Sequence, residues 1–528
     1  MSREAIYFDG FLPPQKHEIR LLRTTRATTD AQLFYQANRE GCPAKLLEPI
    51  QPPNELFPST TLGAPGHPRI HNSFVVAEAV ECLKSSRYSP ITYVVPGEAD
   101  AYCASAAVTK KSVILTDDSD LFLFDIGESS VALLSTTYAS SGPDGATLRC
   151  SEFSPLLIAE RLGFQPGSQP SNTPGLSRLA YELHKSPGVS LARAIEFSAS
   201  EPESEQFARF VAPYLTRTDT FQLPRRSSSL SEAPLLDPRV SELVLALMGC
   251  SVTPGNTSQT TEARIYLPVL LESHGHGNAF DVGSQIRQIA YSFLGLHSTC
   301  HAGCVWEFKR IQPGQRRGSR VELLGRVQLQ RAASKLVDRF ERIRALEGDR
   351  TRFWLYLTLW QEVDLSCTSG KDSVGAALLQ RKLPSTIKHE EEGRVPWELV
   401  HFEAISKACL YSIRILRQVL ENVRMRQGSD DPAVSSLLAQ LLELPHLDDF
   451  PAMDDILNFF ALVRATSAVE AILGGFWVQS ESPMRAQETV EASGGSKKRA
   501  APFKAKSGRA RGGIYHNPFE ALPYDSDA

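Results

Sequence analysis

The sequence predicts an α/β fold: a parallel sheet flanked by helices at the amino-terminal end, then a mostly α-helical region, then a disordered tail. Three observations carry this expectation. Strand-like and helix-like segments alternate through roughly the first 130 residues. Long amphipathic helices fill about 283–475. Beyond about 479 the composition turns to Ser, Gly, Ala, Lys and Arg, which cannot bury a core.

Taken in order, residues 5–8 (Ala5-Ile6-Tyr7-Phe8) read as a strand. Residues 16–38 read as a helix entered behind Pro13-Pro14, because the fixed φ of proline suits a first helical turn. A Pro-rich loop covers about 48–68. Within 71–85, Val76, Ala79, Val80 and Leu83 recur at helical spacing. Residues 91–95 then read as a strand, 98–108 as a helix and 112–116 as a strand. Strand–helix–strand order implies a parallel sheet whose ligand chemistry lies outside the carboxyl ends of its strands. Helices are expected over 154–162, 176–184 and 189–197, with polar loops at 224–229 and 253–261. Apolar stripes mark 284–294, 327–346, 398–427 and 453–473 as amphipathic helices, with Phe353, Trp354, Tyr356 and Trp360 as core between them. The expected parts are therefore 1–150, a helical extension at 151–222, a helical domain at 236–478 and a basic tail at 479–528.

Bulk properties narrow the class. A chain of 528 residues has room for two or three domains. A net charge of −4 gives no general pull toward nucleic acid, so such binding must come from local patches. Nine cysteines without a regular framework fit a reducing compartment. Met1-Ser2-Arg3-Glu4 runs straight into the first strand, so no secretory leader is expected. The apolar run at 243–248 is too short to span a bilayer, and no membrane partner is expected.

Chemistry concentrates at strand ends. Asp9 closes the first strand and is followed by Gly10. Val94-Val95-Pro96-Gly97-Glu98-Ala99-Asp100 follows the second, and Thr116-Asp117-Asp118-Ser119-Asp120 the third. Each acid alone has a local explanation: Glu98 complements a helix dipole, and Asp118 and Asp120 serve as turn or cap residues. Three acid-tipped strands together, with no basic residue inside either cluster, point instead to converging carboxylates. Those repel one another unless cations sit between them. Hard oxygen donors without His or Cys favour Mg2+ or Mn2+ over zinc.

The motifs resemble those of the XPG/flap-endonuclease superfamily, a PIN-like nuclease group. Gly97-Glu98-Ala99-Asp100-Ala101-Tyr102-Cys103-Ala104 is similar to its internal acidic motif, with Glu98-x-Asp100 where members usually carry Glu-x-Glu. Asp118 and Asp120 match the Asp-x-Asp pair that follows, and Phe8-Asp9-Gly10 resembles the earlier Phe-Asp-Gly strand end. The resemblance implies metal roles for Asp9, Glu98, Asp100, Asp118 and Asp120, and two ions about 4 Å apart that activate water and stabilise the leaving oxygen. It places a lysine and an arginine at Lys16 and Arg23, two helical turns apart on one face, to grip the scissile phosphate. Two family features are expected to be missing. One is an aspartate-bearing strand before Phe8-Asp9; the other is a helix-hairpin-helix or H2TH element after Asp120. Both absences, with Tyr266-Leu267-Pro268, the segment from Ile286 to Tyr291 and Trp397-Glu398-Leu399-Val400-His401, resemble the asteroid-like branch.

Two readings follow: a metal-dependent, structure-selective nuclease acting on nucleic acid, with DNA in a repair setting foremost, or a catalytically silent PIN-like scaffold that binds nucleic acid or protein partners. The tail bears on partners. Lys497-Lys498-Arg499 with Lys504, Lys506, Arg509 and Arg511 suits nuclear import or nucleic-acid contact, and Ile514-Tyr515-His516-Asn517-Pro518-Phe519 suits docking onto a protein partner. His297, Cys300, His301 and Cys304 are too crowded for a tetrahedral zinc site. Thr368-Ser369-Gly370-Lys371-Asp372-Ser373 lacks the first glycine of a phosphate loop and is read as a helix connection.

Overall fold

The computed structural model describes residues 5–47, 73–142, 145–164, 174–186, 188–200, 204–215, 236–247, 262–298, 302–381, 383, 393–427 and 431–465. In chain order the elements are β1 (Ile6–Asp9), α1 (His17–Ala37), β2 (Cys42–Pro43), α2 (Val75–Lys84), β3 (Thr92–Val95), α3 (Ala99–Lys110), β4 (Val113–Thr116) and β5 (Ser130–Leu133). The hairpin β6 (Tyr138–Gly142) and β7 (Gly145–Arg149), β8 (Glu152–Phe153), α4 (Pro155–Arg161), α5 (Pro174–Lys185), α6 (Leu191–Ser200) and α7 (Glu205–Val211) follow. Then come α8 (Pro238–Leu247), β9 (Arg264–Tyr266), α9 (Ser284–Leu296), β10 (Cys304–Phe308), β11 (Ser319–Glu322), α10 (Arg326–Leu346) and α11 (Arg350–Ser369). The last are α12 (Val374–Gln380), β12 (Arg394–Val395), α13 (Trp397–Gln427), α14 (Pro432–Gln440) and α15 (Met453–Ala465).

The chain divides into two compact units, and the division falls inside α3. Residues within 1–102 and 222–476 make the first; residues from 103 to 221 belong to the second. In the first unit β1 and β3 pair in parallel, with Asp9 opposite Val95. Behind α1, four threonines return their hydroxyls to carbonyls one turn back, Thr24 to Arg20 and Thr25 to Leu21 at 2.9 Å each, Thr28 to Thr24 at 3.0 Å and Thr29 to Thr25 at 2.9 Å. The core is built on α13, where Ala408, Leu410, Ile413, Leu416, Val419 and Leu420 are all fully buried. Trp354 of α11 and Phe459 and Phe460 of α15 are fully buried in the same core, and Phe34 of α1 packs edge-on to Trp397. The amino-terminal segment thus shares one core with the carboxy-terminal helices.

The helical region also holds a three-stranded sheet that periodicity does not reveal. β9 and β10 are parallel, and β10 and β11 antiparallel. β9 has three residues, β11 is largely exposed and polar, and β10 carries the fully buried Glu307, so no run alternates cleanly. In the second unit β5 lies between β4, its parallel neighbour, and β8, its antiparallel one. β3 and β4 are thus not neighbours in one sheet, as the strand order had implied; among the described residues they belong to separate small sheets. Leu123, Ala159, Leu176 and Ala180 form one core cluster of the second unit, and Tyr181, Phe207 and Val211 another.

The connection 370–373 joins α11 to α12 as expected. Gly370 takes φ +64° to end α11, and the Glu362 carboxylate receives the Val374 and Gly375 amides (2.8 and 3.3 Å). A protein carboxylate therefore occupies the helix start that a phosphate would need. Of the crowded His/Cys segment, Cys300 and His301 lie outside the described residues, as do the loops 48–68, 224–229 and 253–261, the tail and residues 466–473 of the last predicted helix.

Candidate metal-binding strand end

β1, β3 and the start of α3 form one tight corner in the first unit. The Gly10 and Phe11 amides donate to the Gly97 carbonyl (3.1 and 3.4 Å), which brings the two strand exits together. A Cβ on Gly10 would collide with the Val95 carbonyl oxygen and stand 2.8 Å from Ser241 Oγ. The glycine after Asp9 is therefore required by close backbone approach. Gly10→Ala is expected to cost about 1–3 kcal/mol, read as a lowered midpoint in urea denaturation; an unchanged midpoint would remove this account of the corner.

At this corner Asp9 is exposed, and its Oδ1 receives the Ala99 amide at 2.7 Å. It caps α3 from a neighbouring strand and satisfies an amide of the first turn. Glu98 pairs with Lys16 at 2.5 Å, the two side chains 24% and 35% exposed, so the carboxylate is accessible although compensated. Asp100 lies in the first turn of α3. Below, Tyr7 stacks on Tyr93 at 5.7 Å and approaches Tyr102 at 6.3 Å, giving the corner an aromatic floor. Lys16 stands at the N-cap of α1, within the expected helix start, while Arg23 is exposed along α1. The structure brings Lys16, and not Arg23, to the acids of this corner.

The remaining acids lie in the second unit, at the end of β4. Asp118 accepts the Asp120 amide (3.0 Å) and caps the 3-10 turn Ser119–Leu123. Asp117 accepts the Ser135 amide (2.7 Å), and Tyr214 donates to Asp120 Oδ2 (3.1 Å). The local capping roles weighed for Asp118 are thus real. By donor chemistry, carboxylates alone, Asp9, Glu98 and Asp100 suit Mg2+ or Mn2+. As placed, Lys16 holds Glu98, and among the described residues no three or more Asp, Glu, His or Cys side chains are grouped to hold a metal ion.

Sequence reasoning missed a second polar cluster in the first unit, although the spacing His274-Gly275-His276-Gly277 signals it. Glu272 accepts from Arg310 (3.2 Å) and from the Ala279 amide (2.7 Å). His401 stacks on His276 at 4.9 Å, its Nδ1 3.7 Å from Glu272, beyond hydrogen-bond range. Burial, assisted by neighbouring charge, holds His274 down to about 4 and His401 to about 3; burial pushes Glu272 up to about 7 against the pull of Arg310. At neutral pH His274 and His401 are uncharged, beside Glu272 and Arg310.

Residues 71–320 match a family model described as XPG domain containing. The match supports an XPG-like nuclease superfamily and a nuclease-like function. It includes Glu98, Asp100, Asp118 and Asp120, runs well past the acidic motifs into the helical region, and stops short of Asp9, Lys16 and Arg23. No curated protein and no solved structure matches the chain. Among the described residues no helix is long and apolar enough to cross a membrane.

Proposed function

We propose that this protein is a metal-dependent, structure-selective nuclease of the asteroid-like branch, hydrolysing phosphodiester bonds in nucleic acid, with DNA in a repair setting as its substrate. The observation that supports this most is that both acidic pairs, Glu98-x-Asp100 and Asp118-x-Asp120, fall inside the family-matched segment. A bound divalent ion supplies Lewis acidity and a water of lowered pKa. On this reading Asp9, Glu98, Asp100, Asp118 and Asp120 are the metal ligands. The chain's own tasks are simpler. Asp9 holds the first amide of α3 and so fixes where Glu98 and Asp100 begin. Lys16 neutralises Glu98 and is the cation at this corner that can hold a substrate phosphate, with Arg23 further along α1. The basic run from Lys497 to Arg511 favours a nuclear setting.

One observation favours the second reading, a catalytically silent scaffold that binds nucleic acid or a protein partner. The charge of Glu98 is already compensated from within the chain. The test incubates the intact protein with labelled flap, fork and single-stranded substrates in Mg2+ or Mn2+. Cleavage that falls about 100-fold or more in Asp118→Ala with Asp120→Ala supports the nuclease; equal cleavage by that variant assigns the activity to a contaminant. Calorimetry with Mn2+ separates the two readings. No heat at millimolar ion favours the scaffold. If the acids are ligands, Lys16→Gln frees Glu98 and is expected to tighten Mn2+ binding severalfold, since a bound ammonium competes with the ion.

A further inference from the structure

A cavity of about 350 Å³ opens in the first unit between the carboxy-terminal end of α2, the start of α11, the middle of α13 and the segment after α14. Its charged lining is lopsided. Lys84, Arg350, Arg414 and Arg417 face two carboxylates, Glu81 and Glu421, an excess of two positive charges in a chain whose net charge is −4.

The two carboxylates are already committed. Glu81 receives Arg414 Nη1 and the Leu447 amide at 2.9 Å, and its Oε1 lies 3.4 Å from His446 Nδ1. Glu421 pairs with Arg417 at 2.9 Å. The donors are not exhausted. Arg414 has a side chain only 8% exposed, and its Nε is buried with no hydrogen-bond partner, a costly state for a guanidinium N–H. Gln418 uses its carbonyl to receive the Asp237 amide at 2.8 Å, which leaves its NH2 as a donor. Arg350 spends Nε on the Glu443 carbonyl at 2.8 Å, and Lys84 has no carboxylate partner among the described residues.

We propose that this cavity is a binding site for a phosphomonoester dianion. A dianion matches the charge excess, and its three terminal oxygens accept from planar guanidinium donors, the geometry for which arginine is suited. The volume accommodates a phosphate with a small organic group. No Phe, Tyr or Trp side chain lines the cavity, and its one ring, the His446 imidazole, lies against Glu81, so recognition rests mainly on the phosphate. Leu442, Leu444 and Pro445 offer the organic part an apolar rim. The ester is either a free metabolite such as a nucleoside monophosphate or the phosphorylated end of a nucleic-acid strand. The site lies apart from the acid-tipped corner and stands whether or not the chain cleaves nucleic acid.

Calorimetry on the full chain tests this with inorganic phosphate, AMP, and one oligonucleotide carrying either a 5′-phosphate or a 5′-hydroxyl, all in EDTA so that no metal-dependent cleavage intervenes. Binding of phosphate or AMP, weakened about tenfold or more in Lys84→Ala with Arg350→Ala, is the expected result. Both side chains are exposed, and an unchanged thermal midpoint verifies that the variant folds. A preference for the 5′-phosphorylated strand over both the 5′-hydroxyl strand and AMP, lost in the same variant, identifies the source as a strand end. Absence of binding to all four ligands at millimolar concentration, or equal affinity in the variant, overturns the proposal.

Discussion

Glu307→Ala is expected to destabilise the protein by about 3–5 kcal/mol, the largest single-site effect anticipated in the structure. Glu307 and Arg287 both have side chains with 0% exposure, and they pair in a bidentate fork: Nε to Oε1 at 2.6 Å and Nη2 to Oε2 at 2.8 Å. Tyr291, one turn along α9 from Arg287, adds its hydroxyl to Glu307 at 2.8 Å. Arg287 Nη1 donates to the Phe280 carbonyl (2.9 Å) and to Ser412 Oγ of α13 (2.8 Å), tying β10, α9 and α13 together. Removing the carboxylate strands a guanidinium in the core. Replacing Arg287 and Glu307 together by methionine leaves no orphaned charge and is expected to recover most of the loss. Urea denaturation of the wild type, Glu307→Ala and the double variant measures both; a single-variant loss under about 1 kcal/mol would refute the account. The same pair predicts acid sensitivity. Burial pushes the Glu307 carboxyl up, but Arg287 and its hydrogen bonds, then Lys309 and Tyr291, hold it down to about 2. A carboxylate depressed in the fold contributes stability that is present above its unfolded value and lost as pH falls toward 2.

Glu242→Gln is expected to gain about 3 kcal/mol relative to the wild type when the comparison moves from pH 4 to pH 9. Glu242 lies on α8 with 7% of its surface exposed. Burial pushes its carboxyl up to about 7, against the pull of Arg20, Arg239 and Arg264. The folded value thus lies above the unfolded one, near 4.5. The stability this group contributes is full below about 4.5 and is lost as pH rises through 7, because the folded protein must ionise a carboxyl that it holds protonated. Glutamine never ionises and escapes that loss. Glu272, also held at about 7, acts in the same direction; His274 and His401, held at about 4 and 3, act in the opposite one, costing stability as pH falls below the unfolded histidine value. Between pH 4.5 and 6.5 these four contributions oppose one another in the wild type. The variant should gain stability with pH relative to the wild type across that window. Parallel pH profiles for the two proteins would remove Glu242 as a titrating group in this range.

Much of the local structure was legible in the sequence. The strand at Ile6–Asp9, the helix behind Pro13-Pro14, the strand–helix–strand run through Thr116 and the helix around Ile413 all follow from spacing and breakers, which act over a few residues. The acids at the strand exits were legible too, and so was Lys16 as a cation worth watching. The sheet β9–β10–β11 was not. Its middle strand buries an acid, Glu307, and the arginine that makes this tolerable arrives from a different element. The phosphate-sized cavity was likewise hidden, because its cations come from α2, α11 and α13.

The sequence by itself determined which residue types stand at each strand exit, and the order of strands and helices that delivers them. Tertiary structure alone decided that Asp9 meets an amide from a distant helix and Glu98 an ammonium, whereas Asp118 caps its own turn, a local contact. The physical reason is range. Periodicity and capping are set by neighbours along the chain, whereas the partner of a charge is whatever group folding brings within about 3 Å, and for Asp9 that group is 90 residues away.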